Sequence, residues 1–341
     1  MLSRGAVVAA SLFLARSTEA FHFGADRSNE GLMDERAIAA VEKGLKYLAS
    51  RQQPSGAFAA ERLGGNIAVC GLAGMALMAA GSTPDRGPYG REVTRFHDYI
   101  LGAATESGLI DVPRARSHGR MYDHGFATLF LAEVYGMSPR GDLRSKLAKA
   151  VQLIIDTQND EGGWRYEPQR GEADISVTVC EVMTLRAARN AGIYVPGETI
   201  DRATDYVKRC QNPDGGFAYM ASGGESGFAR TAAAIVALYS AGLYDTAEVK
   251  KARAYLAAFR PRSDAVVRSN YYLYGHYYAA QAMWHAGGSA WAEWYTAVRD
   301  DLLTRQRSDG SWDDAYGAEY GTSMATLVLH MPNNYLPIFQ R

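Results

Sequence analysis

The sequence predicts an all-α fold of about twelve helices in one domain. Three observations carry this reading. A motif recurs about every 50 residues, amphipathic segments alternate with wholly apolar ones, and no strand-like alternation competes with either.

The motif reads K/R-A/G-x-x-aromatic-aliphatic-x-x-x-Q-x-x-x-G-x-aromatic. Lys43-Gly44, Tyr47-Leu48, Gln52, Gly56 and Phe58 fit every position, and so do Arg202-Ala203, Tyr206-Val207, Gln211, Gly215 and Phe217. Lys149-Ala150, Leu153-Ile154, Gln158, Gly162 and Trp164 fit with one aliphatic swap, and Gln306, Gly310 and Trp312 keep the second half. The four Gln residues are 106, 53 and 95 positions apart, so two gaps are double. Degenerate copies fall where the spacing requires them. Arg95-Phe96, Tyr99-Ile100, Gly108 and Ile110 carry Ala104 in place of Gln, and Lys251-Ala252 and Tyr255-Leu256 carry Arg260.

Each repeat holds two helices. The first is amphipathic, as in Ile38, Val41, Leu45 and Leu48 against Glu35, Glu42, Lys43 and Lys46. The Gly-containing turn ends it. The second is nearly all apolar, as in 67–80, 231–241 and 322–329, and a helix apolar all round is buried all round. The amphipathic helices therefore form an outer layer around the apolar ones, in one domain over about residues 30–335.

Of 341 residues, 36 are Lys or Arg and 37 Asp or Glu, for a net charge of −1. That balance carries no basic footprint for nucleic acid. The 47% hydrophobic and 21% charged content is that of a folded globular chain. Residues 1–20 read as a signal peptide: Arg4, a largely apolar run over 5–15, then Thr18-Glu19-Ala20, with cleavage before Phe21. The expected location is periplasmic or secreted. No later stretch reaches 18 uninterrupted apolar residues, so no membrane span is expected after signal removal. The three cysteines, Cys70, Cys180 and Cys210, form no C-x-x-C and read as buried apolar residues. No His spacing points to a metal, and no cofactor is expected.

The Q-x-x-x-G-x-W/F frame resembles the repeat of terpenoid cyclases and protein prenyltransferase β subunits, over residues 35–331. The resemblance implies an α6/α6 toroid, with six inner and six outer helices around a central hydrophobic pocket. All inner helices then start at one face, where their positive dipole ends suit an anion such as a diphosphate. Near those starts stand Asn66, Asp123 and His124, Glu172 and Asp174, Arg230, Arg268, Tyr274 and His276, and Glu319 with Tyr320. Taken singly, Asn66, Asp123 and Asp174 also read as helix N-caps. As a ring they are candidates for ligand binding.

The known activities of the superfamily leave only fragments of their motifs here. Laid on the zinc prenyltransferase pattern, Arg268 and Tyr277 match diphosphate contacts. The Lys, Asp, Cys and His positions hold Tyr271, Tyr274, His276 and Gly321. A zinc site needs three or four ligands, so zinc-dependent protein prenylation is not expected. The D-x-D-D-T-A motif of squalene-type cyclases falls on Gly227-Phe228-Ala229-Arg230-Thr231-Ala232 and keeps no acid. The nearest substitute is the pair Glu172 and Asp174, a general-acid candidate. The known cyclases are also about twice this long. The G-C-G-E-Q of thioester domains has no counterpart around Cys70.

Tyrosine is in excess, with 21 against 11 phenylalanines. Part of it is repeat frame. The rest crowds the fifth inner helix, where Tyr271, Tyr274, Tyr277 and Tyr278 share about one face. They either line a pocket that stabilises a carbocation or pack with their hydroxyls at a rim. His276 among them is a candidate general base or pocket donor. Two functions follow. One is a cyclase or isomerase acting on an isoprenoid or lipid-like molecule, with Glu172, Asp174 or His276 catalytic and Asp123, His124, Arg230, Arg268 and the tyrosines binding. The other is a non-catalytic toroid that binds lipid or a protein partner. They divide on whether Tyr274, Tyr277 and Asp174 face one void.

Overall fold

A computed structural model describes residues 31–59, 62–259 and 271–340. Twelve α-helices fill them: α1 (Glu35–Arg51), α2 (Ile67–Ala79), α3 (Gly90–Gly102), α4 (Arg120–Val134), α5 (Leu143–Thr157), α6 (Ile175–Asn190), α7 (Gly197–Arg209), α8 (Phe228–Ser240), α9 (Ala247–Ala257), α10 (Tyr272–Ala286), α11 (Gly288–Arg305) and α12 (Ala318–His330). No strand occurs among the described residues. The signal-peptide segment 1–20, Arg260 and Arg268 lie outside them.

The even-numbered helices pack side by side in the cyclic order α2, α4, α6, α8, α10, α12 and back to α2. The odd-numbered helices lie outside them. This is the α6/α6 toroid, and composition decides which layer a helix joins. Every residue of α2 is buried, whereas α1 buries only one stripe, including Val41, Leu45 and Leu48.

The repeat residues hold neighbours together. Gln158 donates from Nε2 to Gly162 O in its own turn (2.8 Å) and to Thr199 O of the next outer helix (2.9 Å). Gln52, Gln211 and Gln306 make the same two contacts, and the Gln306 bond to Ala40 O (2.7 Å) joins the sixth repeat to the first. The glycine four residues later must be glycine. At Gly162 φ is +94°, and a Cβ would stand 2.2 Å from Arg202 O.

A second frame residue, a threonine, sits near the start of three inner helices. Thr178, Thr231 and Thr322 accept the backbone N–H of the repeat aromatics Trp164, Phe217 and Trp312 at 3.0–3.1 Å. The Trp indoles reach back to Ile154 O and Leu302 O. At the other end of the ring the C-terminal segment buries Leu336, Ile338 and Phe339. It is tied down by Glu133, Arg186 and Trp284 near the C-terminal ends of α4, α6 and α10. The N-terminal end of the ring is where a ligand has room.

Candidate active site

A cavity of about 360 Å³ lies at the N-terminal end of the inner ring. First-turn residues of all six inner helices reach it: Val69, Asp123, Ser176, Arg230, Tyr274 and Tyr320. Below them Leu72 and Phe126 supply an apolar floor. The walls are mostly aromatic, with Tyr122, Tyr166, Tyr219, Phe228, Phe259 and Tyr316 among them. Such a lining is apolar in bulk yet offers π faces and hydroxyls, the character of a small-molecule site.

Among the described lining residues Asp123 is the sole carboxylate and Arg230 the sole Lys or Arg. Asp123 is 5% exposed on α4. Asn66 caps α2, its Oδ1 accepting from Val69 N at 3.0 Å, and turns its Nδ2 onto Asp123 Oδ1 at 2.7 Å. Burial raises the Asp123 carboxyl to about 6, against the opposing pull of hydrogen bonds from Ser117 and Asn66. The carboxyl therefore keeps its proton up to about pH 6, at a group lining an aromatic chamber. Arg230, from the start of α8, is fixed by Glu225 O (2.8 Å) and Phe217 O (3.4 Å).

The other residues singled out from sequence divide sharply. Tyr271 and Tyr274 line the cavity. Tyr277 and Tyr278 are fully buried and pack on each other and on Tyr274 and Phe339, outside the lining. His124 is no wall residue either. Its Nδ1 accepts from Ile110 N at 3.1 Å and its Nε2 bonds Ala150 O at 3.0 Å, so it fills in the second repeat the place Thr178 fills in the third. Burial lowers its pKa to about 4. His276 is likewise buried, boxed by Tyr272, Phe228 and Trp294, and burial lowers it to about 3. It is a neutral packing ring behind the wall, not a group facing the cavity.

The acidic pair separates as well. The Glu172 side chain is 70% exposed and paired with Arg165, away from the cavity. Asp174 is fully buried and caps α6, accepting from Ser176 N and Val177 N, both at 2.9 Å. It stands behind the wall, where Tyr219 and Arg165 act on it. Of Tyr274, Tyr277 and Asp174, then, only Tyr274 faces the void; the three do not share it, and the carboxyl that faces it is Asp123 instead.

Sequence reasoning missed Tyr122, Tyr166, Tyr219 and Tyr316. A signal for two of them was present. Tyr166 and Tyr219 each follow the repeat aromatic by two positions, after Trp164 and Phe217. Continuing the frame two residues beyond its last aromatic finds the wall.

A family model of the prenyltransferase alpha-alpha toroid domain matches residues 122–262. A drimenyl diphosphate synthase from Streptomyces showdoensis is 26% identical over 187 residues, 54% of this chain and 33% of its own length. The drimenyl diphosphate synthase of Streptantibioticus cattleyicolor is 34% identical over 122 residues, 36% of this chain and 22% of its own. The matches thus span a third or less of these relatives. Among solved structures, the type II terpene cyclase MstE from Scytonema superposes with a TM-score of 0.60 at 14% identity, covering 88% of this chain and 99% of that one. An α-1,6-mannanase of Salegentibacter superposes with 0.63 at 8% identity, covering 87% and 99%. At these identities the likeness is one of fold.

Proposed function

We propose that this chain, a toroid similar to those of terpenoid cyclases and prenyltransferases, is a protonation-initiated cyclase or isomerase of an isoprenoid, with Asp123 as the acid. The observation that carries the reading is a single buried carboxyl, raised to about 6, in a chamber of aromatic faces. In the forward step the Asp123 O–H proton passes to an alkene carbon. The π pair becomes the new C–H bond, and a tertiary carbocation forms at the other carbon. A second alkene of the same chain closes a ring on it. Tyr faces stabilise the migrating charge, and the apolar floor keeps water away. Arg230 and the converging helix N-termini suit an anionic headgroup at the mouth. The likeness to drimenyl diphosphate synthases, and to a cyclase solved with geranylgeranyl dihydroxybenzoate, supports a prenyl chain as ligand.

The test incubates the purified protein with farnesyl and geranylgeranyl diphosphates and the corresponding alcohols, and identifies products by gas chromatography and mass spectrometry. A cyclised isomer is expected. Asp123→Asn lowers its formation by about 10²-fold or more. Wild-type kcat/KM falls about tenfold per pH unit above about pH 6, because the raised carboxyl must hold its proton to act. Undiminished turnover by the Asn variant removes Asp123 from the role. Tight binding of a prenyl chain without turnover leaves a lipid-binding toroid.

A further inference from the structure

A reaction begun by adding a proton and ending in an alkene must return a proton, and Asp123 lies at one side of the cavity only. The opposite requirement is met at α6. Tyr166 and Tyr219 occupy equivalent places in the third and fourth repeats, and their hydroxyls are hydrogen-bonded to each other on the cavity wall. Both are held from the main chain: Tyr166 O accepts from Met121 N and Tyr219 O from Ile175 N, each at 2.9 Å. Behind them is Asp174, fully buried. Capping α6 uses its Oδ1 for two N–H groups. Its Oδ2 takes no part in that cap, and a buried carboxyl oxygen without a donor is costly. A cap alone needs no such group, since Asn, Ser or Thr serves. The groups that act on this carboxyl are the Tyr219 hydroxyl and the Arg165 guanidinium, whose Nε is 4.0 Å from Oδ2. Arg165 also pairs with exposed Glu172. The line runs from the cavity wall to the surface.

We propose that Tyr219, oriented by Tyr166 and backed by Asp174, is the base that ends the reaction. The inference rests on the cyclase or isomerase reading. The carbocation loses a proton from the carbon next to the charge, and the C–H electron pair becomes the new C=C bond. The Tyr219 oxygen receives that proton as its own hydroxyl proton passes to Asp174 Oδ2. Asp174 then releases a proton to water on the Arg165 side, and Asp123 is reprotonated from water. Product and substrate are isomers, and two carboxyls in different surroundings divide the acid and base work. Tyr219 is the catalytic residue here and Asp174 a positioning residue acting through it.

The experiment compares full-length wild type, Tyr219→Phe, Asp174→Asn and Asp123→Asn on the prenyl substrate that wild type converts, in H2O and in D2O. Substrate loss and product distribution are read separately. Both base-side variants are expected to consume substrate within about tenfold of wild type, since the acid is intact. Their product spectrum changes: the wild-type alkene falls at least about fivefold in share, replaced by alkenes from other C–H losses and by water-quenched alcohols. One deuterium enters each product molecule in D2O in every active variant. Asp123→Asn leaves substrate unconsumed. Asn keeps the α6 cap, and if Asp174→Asn nevertheless fails to fold, Tyr219→Phe carries the test. An unchanged product spectrum in folded Tyr219→Phe overturns the base assignment while leaving the cyclase reading in place. So does loss of consumption equal to that of Asp123→Asn. A wild type that converts no prenyl substrate overturns both.

Discussion

At the scale of single residues, polarity in a first turn has two meanings, and the repeat separates them. In the second and fourth repeats the residue just before the frame position, Asp123 or Arg230, lines the cavity, while the frame position itself faces the turn of the preceding repeat aromatic. Asp123 holds the first and His124 the second, one residue apart. His124 therefore invites replacement by Thr, the residue found at its place in three other repeats. Its folded pKa of about 4 lies below the unfolded value, so the folded state binds fewer protons and stability is lost as pH falls from about 6.5 towards 4. Between pH 7 and pH 5 this amounts to about 2 kcal/mol. His124→Thr should remove that slope. Urea midpoints at the two pH values check it: the variant gains about 2 kcal/mol relative to wild type on going to pH 5, whatever its offset at pH 7. Equal slopes would mean that His124 is protonated in the fold.

At the scale of elements, the turn and the helix start carry the architecture. Much of it was legible in the sequence because it repeats. Gln, Gly and aromatic recur with fixed spacing, and apolar composition alone assigns helices to the inner layer. The site was less legible, because its residues are those by which one repeat departs from another. Tyr277 shares a helix face with Tyr274 in projection, yet lies a turn deeper, below the cavity, and 3.6-residue periodicity does not report depth along a ring axis. Glu172 and Asp174 look like one acidic pair in sequence, but the backbone turns into α6 between them, so that one is solvated and the other caps. The turn glycine gives a clean test of the architectural part. Gly162 and Gly192 both have positive φ, +94° and +77°. A Cβ at Gly192 meets nothing within 4 Å, whereas one at Gly162 meets the Arg202 carbonyl of the next repeat. Gly192→Ala should cost about 1–2 kcal/mol from backbone strain alone. Gly162→Ala adds displacement of α7 and should cost about 3 kcal/mol or more, read by urea denaturation. Equal losses would show that the turn does not clamp its neighbour.

At the scale of the whole molecule, closure of the ring distinguishes this fold from an open stack of helical hairpins. In an open stack each repeat touches its neighbours and the two ends are free. Here Gln306 reaches Ala40 O across 266 positions of chain, and Gly310 at φ +90° would press a Cβ to 2.6 Å from Lys43 O. The last repeat thus treats the first as its successor. α12 also packs on α2, so the cavity wall is continuous from Tyr320 to Val69. If closure is energetically real, Gln306→Leu must cost as much as the same change at an interior staple. Gln211 is the fair comparison: it is similarly half-buried and makes the same pair of bonds, to Gly215 O and Glu248 O. Each loss is expected at about 1–2 kcal/mol. The two should differ in kinetics. A contact that joins distant chain ends forms only after the loop entropy between them has been overcome, so it belongs to the last stage of folding. Gln306→Leu is therefore expected to raise the unfolding rate and leave the folding rate nearly unchanged, while Gln211→Leu divides its effect between both arms of the chevron. A Gln306 variant as stable as wild type, beside a destabilised Gln211 variant, would mean that the ring does not close in solution, and the cavity would then lose the wall shared by α12 and α2.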